Sequence, residues 1–280
     1  MDNATVTALA TGLLVIVGIA QAGVLLAQRR QHRLELVEAY RRRWIECQRA
    51  WATIVYLGRD VGDYYQVANP PLIAELQTAT KKHTFGTPTL WALDSVRLVS
   101  GILSDVCLRI LQGQLTVGDA YPILGTEFLR HSRPMRTLLD VEYSSNLSHE
   151  NLGASQIDDS HKNIRAELQQ WLVYHDGIRR RCLILIDLLW AEAARLEDLP
   201  PSDLRSAANA KQQSGASSRR RLVGEYLRLR GLVGILRAMS LSRFLRHAEY
   251  RRRGRRIGID RRRLDELEVK WTARLLHGRQ

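Results

Sequence analysis

The stretch RRRCLILIDLLWAEAARLEDLPP, Arg179 to Pro201, decides how the chain folds. Counted from just upstream, Leu168, Trp171, His175, Ile178, Cys182, Leu185, Leu189, Ala193 and Leu196 recur at intervals of three and four. That is the period of an α-helix with one apolar face. Leu183, Ile186, Leu188 and Trp190 widen the face beyond a two-stranded seam, so the helix is expected to lie inside a bundle. No alternating apolar–polar run long enough for a strand pattern accompanies it, and the fold class expected is all-α.

Working upstream, a second stripe runs through Val37, Tyr40, Trp44, Cys47, Trp51 and Ile54, again at intervals of three and four. It ends before Asn69-Pro70-Pro71, and a short helix is predicted over Leu72 to Thr80. Leu90 to Leu111 carries a further helical pattern with Thr89 as its cap. Gly118, Pro122, Gly125 and Pro134 then predict kinks or shorter helices. Tyr143 to Ser160 has the composition of a loop. These segments together form the expected helical bundle, residues 29–199.

Further upstream, residues 3–28 carry no charge, and 4–27, ATVTALATGLLVIVGIAQAGVLLA, has Gln21 as its one strongly polar side chain. At about 1.5 Å per residue this run exceeds a hydrocarbon core of roughly 30 Å, so a transmembrane helix is expected. Ala20-Gln21-Ala22 resembles a signal-peptide cleavage site, but the leading segment holds Asp2 and no Lys or Arg. Arg29, Arg30 and Arg33 follow the run as a stop-transfer cluster, and with Arg41 to Arg43 they place the N-terminus outside and the body in the cytoplasm. Ala8/Gly12 and Gly18/Ala22 are small-residue pairs that could bring two spans together as a homo-oligomer, although Ala and Gly are also common in spans that do not associate.

Downstream of the opening stretch, residues 200–218 (PPSDLRSAANAKQQSGASS) read as a linker by composition. The remaining 62 residues are unlike the rest. The chain of 280 residues has 42 basic and 29 acidic side chains, net +13, yet residues 1–218 are balanced. The whole excess therefore lies in 219–280, expected as an Arg-rich helical module with three short helices. The first carries a stripe of Leu222, Tyr226, Leu229, Val233 and Leu236, and the second carries Leu241, Phe244, Leu245 and Ala248. The third is capped by Asp260, stapled by Ile259 and Leu264, and extended by Leu267, Trp271 and Leu275.

The layout of one N-terminal span, a long Arg-rich helix and the late helix RRRCLILIDLLWAEAARLEDLPP resembles uncharacterised bacterial single-span membrane proteins with a helical cytoplasmic domain. The resemblance covers about residues 1–205. It implies a membrane location and an all-α fold, and it brings no active-site pattern; the basic module lies outside it.

Charge density is the clearest functional signal. Arg246, Arg251, Arg252, Arg253, Arg255, Arg256, Arg261, Arg262 and Arg263 fall within eighteen residues against Glu249 and Asp260. In a chain tethered to an anionic leaflet each such residue near the surface contributes about 1 kcal/mol, so lipid headgroups are the expected contact. Nucleic acid is the alternative, since dense Arg beside Tyr226, Tyr250 and Trp271 also suits phosphate backbones. Cys47, Cys107 and Cys182 are far apart and unpaired, as reduced core thiols are. His131, His149, His161 and the His175-Asp176 pair superficially evoke a metal phosphohydrolase, but His175 lies on the apolar stripe, and no metal or cofactor is expected. No HExxH, GxSxG, GxxxxGK[ST] or GxGxxG motif stands in a suitable context, so the expectation is a non-enzymatic membrane scaffold or regulator.

Overall fold

The fold is given by a computed structural model that describes residues 3–59, 68–83, 89–140 and 159–277, with side chains from 14 to 273. Among the described residues it is an all-α bundle of eleven α-helices and one 3-10 turn. The loop expected over Tyr143 to Ser160 falls mostly on residues outside the described ones, as do His149 and the side chain of Leu275.

Helix α1 (Asn3–Glu46) is 44 residues long, and its two halves have different fates. From Leu14 to Gln31 every side chain is exposed, whereas Tyr40 and Trp44 near the C-terminal end enter the core. Among the described residues no helix is long and apolar enough to cross a membrane. The span expected over 4–27 begins on residues 1–13, whose side chains are outside those described.

A break at Cys47 leads into α2 (Gln48–Gly58), and the expected stripe is realised across it. Tyr40, Trp44, Cys47, Trp51 and Ile54 are buried, and Trp44, Trp51 and Phe128 pack with ring centroids 5.0 to 5.7 Å apart. At the end of α2 a Cβ on Gly58 would stand 2.2 Å from the Pro134 carbonyl oxygen, so glycine is what admits α6 here.

Asn69 caps α3 (Pro70–Lys81) by accepting from the Leu72 amide at 3.0 Å. Thr89 stands at the cap position of α4 (Leu90–Gln112), but its hydroxyl donates to Glu167 at 2.7 Å instead of capping. A left-handed Gly113 ends α4, and a Thr116–Asp119 capping box starts α5 (Val117–Arg130). The expected kink falls at Gly125, and α6 (Ser132–Leu139) follows at once.

After α7 (Asp159–Tyr174), α8 (Asp176–Leu196) is the helix on which the rest assemble. It touches α4, α5, α6, α7, α9 and the 3-10 turn, and Cys182 to Leu189 are buried without interruption. The wide apolar face at Arg179 to Pro201 does the enclosing that its sequence calls for. Fully burying each of its Leu and Ile side chains contributes roughly 1.5 to 3 kcal/mol.

The linker expected over 200–218 is not one. Pro201–Arg230 is a single 30-residue helix, α9, that runs through the expected boundary at 218/219. Leu204, Ala208, Lys211, Gly215, Ser218, Leu222 and Tyr226 are its buried face, at helical spacing. Small side chains that suit a linker by composition here allow close approach: a Cβ on Gly215 would lie 2.7 Å from the Glu249 carboxylate. The described residues beyond 218 accordingly share their core with the bundle rather than forming a separate module. Helix α10 (Ile235–Phe244), the 3-10 turn Leu245–Ala248 and α11 (Arg261–His277) complete the chain, with Leu245, Ala248, Ile259 and Leu264 buried.

Candidate functional site

The nine arginines singled out in the sequence lie around one loop, and they divide into distinct groups. Residues 250–259 are pinched at the base, where the Arg251 amide donates to the Ile259 carbonyl at 2.9 Å and the Ile259 amide donates to Glu249 at 2.8 Å. Gly258, at φ 123°, is required at the pinch, because a Cβ there would meet the Glu249 carbonyl at 2.7 Å. Tyr250 ties the loop down by donating to Asn209 on α9 at 3.0 Å.

Arg251 pairs with Asp260 at 3.5 Å, Arg263 with Glu197 at 3.1 Å and Glu266 at 3.2 Å, and Arg261 lies 4.6 Å over the Tyr250 ring. These hold the loop. Arg246 is half-buried on the 3-10 turn, with its Nε buried and without a hydrogen-bond partner among the described residues. Arg252, Arg253, Arg255, Arg256 and Arg262 are exposed, with no carboxylate partner among the described residues. Burial, and then the charges of Arg246, Arg252 and Arg255, push the neighbouring Arg219 below its ordinary pKa, a sign of the local positive field. Glu249 pairs with Arg219 and offsets part of it.

The loop sits at the end of the bundle from which the exposed half of α1 extends. Arg33 of α1 pairs with Asp119 at 3.5 Å in the first turn of α5. The adjacent Gly118 would place a Cβ 3.3 Å from the Glu192 carboxylate near the C-terminus of α8, and Tyr121 donates to Asp198 at 2.9 Å. Glu197, which follows α8 and lies between Glu192 and Asp198 in sequence, is the partner of Arg263. Three side-chain pairs and the close approach of Gly118 to Glu192 thus connect the exit of α1 to the basic loop.

A second cationic locus lies elsewhere and was not legible as one. A cleft of about 340 Å³ between α6, α8 and α9 is lined by Arg130, Arg133, Arg136, Trp190, Asp203 and Lys211 among others. At its floor Asp187 of α8 is buried, and one carboxylate oxygen accepts from both Arg136 and Lys211. The other oxygen has no hydrogen-bond partner among the described residues, and Arg221 stands 4.0 Å from it. Burial alone would raise the Asp187 pKa, but Lys211 and Arg136 overcome it and hold the carboxyl well below the usual range. Burial lowers Lys211 to about 8 against the pull of Asp187, so at neutral pH the pair is ionic. In sequence Asp187 was one polar residue on an apolar face, and Lys211 sat within the apparent linker.

Among the described residues the histidines do not converge on a metal site. His131, His161 and His175 make ring contacts with the main-chain carbonyls of Glu127, Leu57 and Trp171, respectively. Cys47 and Cys182 are pushed up to about 12 by burial, and Cys107 is raised for the same reason. The geometry offers a loop of exposed arginines and a cleft lined in part by cationic side chains. Compared with protein families, curated proteins and solved structures, the chain has no match.

Proposed function

We propose that the chain is a non-enzymatic, single-pass membrane protein whose bundle lies on the cytoplasmic face, with the arginine loop against anionic lipid headgroups. The observation that carries this reading is the first half of α1. Leu14, Val15, Ile16, Val17, Ile19, Val24, Leu25 and Leu26 are 49 to 72% exposed on a helix whose other half is packed in the core. Water is a poor solvent for so continuous an apolar surface, and single exposed apolar residues, which are ordinary, do not account for it. Arg29, Arg30 and Arg33 follow the run and favour a cytoplasmic body.

The basic loop supports the second half of the proposal by its position, since it lies at the end where α1 leaves. Arg252, Arg253, Arg255 and Arg256 point into solvent there without intramolecular carboxylates among the described residues. An anionic leaflet supplies the missing partners.

Two measurements test the two halves. Carbonate washing should leave the full-length chain in membranes, and its release would overturn the anchor. For the loop, the full chain is placed in nanodiscs of neutral or anionic lipid and digested briefly with trypsin. Cleavage at Arg252 to Arg256, measured relative to the other exposed arginines, should slow severalfold on anionic lipid; equal rates would remove lipid contact. Protection by duplex DNA that persists at high salt would favour nucleic acid instead.

A further inference from the structure

The cleft between α6, α8 and α9 has depth as well as an opening. Arg130, Arg133 and Ala210 are exposed at its rim, whereas Ser132 and Lys211 at its base are buried. Its volume of about 340 Å³ lies within the range of small-molecule sites. The space exists because Ala207 and Ala210, one turn apart on α9, are small where larger side chains would fill it. The half-buried ring of Trp190 is the aromatic part of the wall. Its indole N–H donates to the Ser132 hydroxyl at 3.3 Å, and that hydroxyl donates to the Leu129 carbonyl at 2.6 Å. The ring is therefore held in place before any ligand arrives, which reduces the cost of binding one.

The charges of the cleft do not balance. Arg130, Arg133, Arg136 and Lys211 line it, with Asp203 as the one acidic side chain in the lining. Beneath them Asp187 accepts from Arg136 and Lys211. Four cations against two carboxylates leave two positive charges, and Arg221, 4.0 Å from Asp187, adds to the surplus. Burial raises the Asp203 pKa and Arg130 pulls it back, so Asp203 already answers that arginine in part. Arg133 makes no ion pair among the described residues. Lys211 spends two of its three N–H groups on Asp187 and Ser218, which leaves one for a ligand.

From these walls we infer that the cleft binds a small organic phosphate with a flat, apolar body. The phosphate would lie among Arg133, Arg136 and Lys211, and the body against Trp190 and the two alanines of α9. A phosphate monoester carries about −1.5 to −2 near pH 7 and offers three acceptor oxygens, which matches the surplus and suits guanidinium forks. A carboxylate, with one charge and two oxygens, would leave a cation unanswered. Because Arg136, Trp190 and Lys211 come from α6, α8 and α9, an occupied cleft would clamp three helices together. The site belongs to the bundle, and its chemistry is the same whether or not α1 crosses a bilayer.

The test is equilibrium dialysis of the full-length chain, held in a neutral detergent, against radiolabelled phenyl phosphate. Binding should saturate at a single site. Glycerol 3-phosphate, which has the phosphate of a lipid headgroup and no ring, should bind severalfold more weakly. Arg133→Gln should weaken phenyl phosphate at least about tenfold, the effect of losing one charge-assisted hydrogen bond. Ala210→Trp fills the cleft without changing its charge and should abolish binding. Both positions are exposed, so neither substitution disturbs the core. Arg97→Gln, which removes an exposed arginine of α4 outside the cleft, should leave the affinity unchanged. Absence of saturable binding would overturn the site. Binding that survives both Arg133→Gln and Ala210→Trp would also overturn it, since the anion would then be held elsewhere on this basic chain. Glycerol 3-phosphate binding as tightly as phenyl phosphate would overturn the flat-bodied ligand and the part assigned to Trp190.

Discussion

Asp187 shows how a single side chain organises this bundle. It is a carboxylate in the middle of the most apolar helix, where an isolated ion would be expelled, and it is retained because Arg136 from α6 and Lys211 from α9 both bind it. Removing it leaves two cations without their buried counter-charge, the costly way to break such a cluster. Asp187→Asn should therefore destabilise the fold by about 3 to 5 kcal/mol in urea unfolding. Because the folded carboxyl titrates well below its ordinary 3.8, its contribution is full above that ordinary value and is lost progressively as the pH falls from there through the lower folded value. The gap between wild type and Asp187→Asn should be widest near neutrality and close in acid. A gap that is independent of pH would show that Asp187 is not the ionised partner of Lys211.

At the scale of elements, α9 gives the sharpest test, because two readings of 200–218 make opposite predictions. A linker exposes Arg205 and Lys211 to trypsin, whereas a packed helix with Ala208, Lys211, Gly215 and Ser218 buried protects Lys211. Limited proteolysis followed by mass spectrometry should find Lys211 uncut while the exposed Arg252 to Arg256 loop is cleaved. Early cleavage at Lys211 would restore the linker. The contrast explains what the sequence disclosed and what it concealed. Leu185, Leu189, Trp44 and Trp51 are large and periodic, so α8 and the α1–α2 stripe were visible as helices with a buried face. The small residues of α9 pack through the absence of side-chain volume, which composition cannot distinguish from flexibility. Val233 and Leu236 kept a helical period, but the period is meaningless across Gly231 and Gly234, whose backbone conformations reverse the face. The basic residues were found by density alone; which of them are spent on Asp260, Glu197 and the Tyr250 ring required the fold.

For the whole molecule, the proposed membrane attachment has two parts that differ in physical character, and ionic strength should separate them. The net +13 belongs to residues 219–280, in a chain that is otherwise balanced. Four arginines of the exposed loop, at about 1 kcal/mol each near an anionic leaflet, would contribute on the order of 4 kcal/mol in low salt. Raising salt from about 0.1 M to 1 M shortens the screening length from about 10 Å to 3 Å, which removes most of that attraction. The apolar half of α1 buries hydrocarbon, and salt does not weaken such burial. In anionic nanodiscs the tryptic protection at Arg252 to Arg256 should accordingly vanish in high salt, while membrane retention persists. Loss of both together would mean that one electrostatic contact holds the protein and that α1 does not anchor it. Protection that survives high salt would mean that the loop is covered by packing against another surface, and lipid phosphate would no longer explain its arginines.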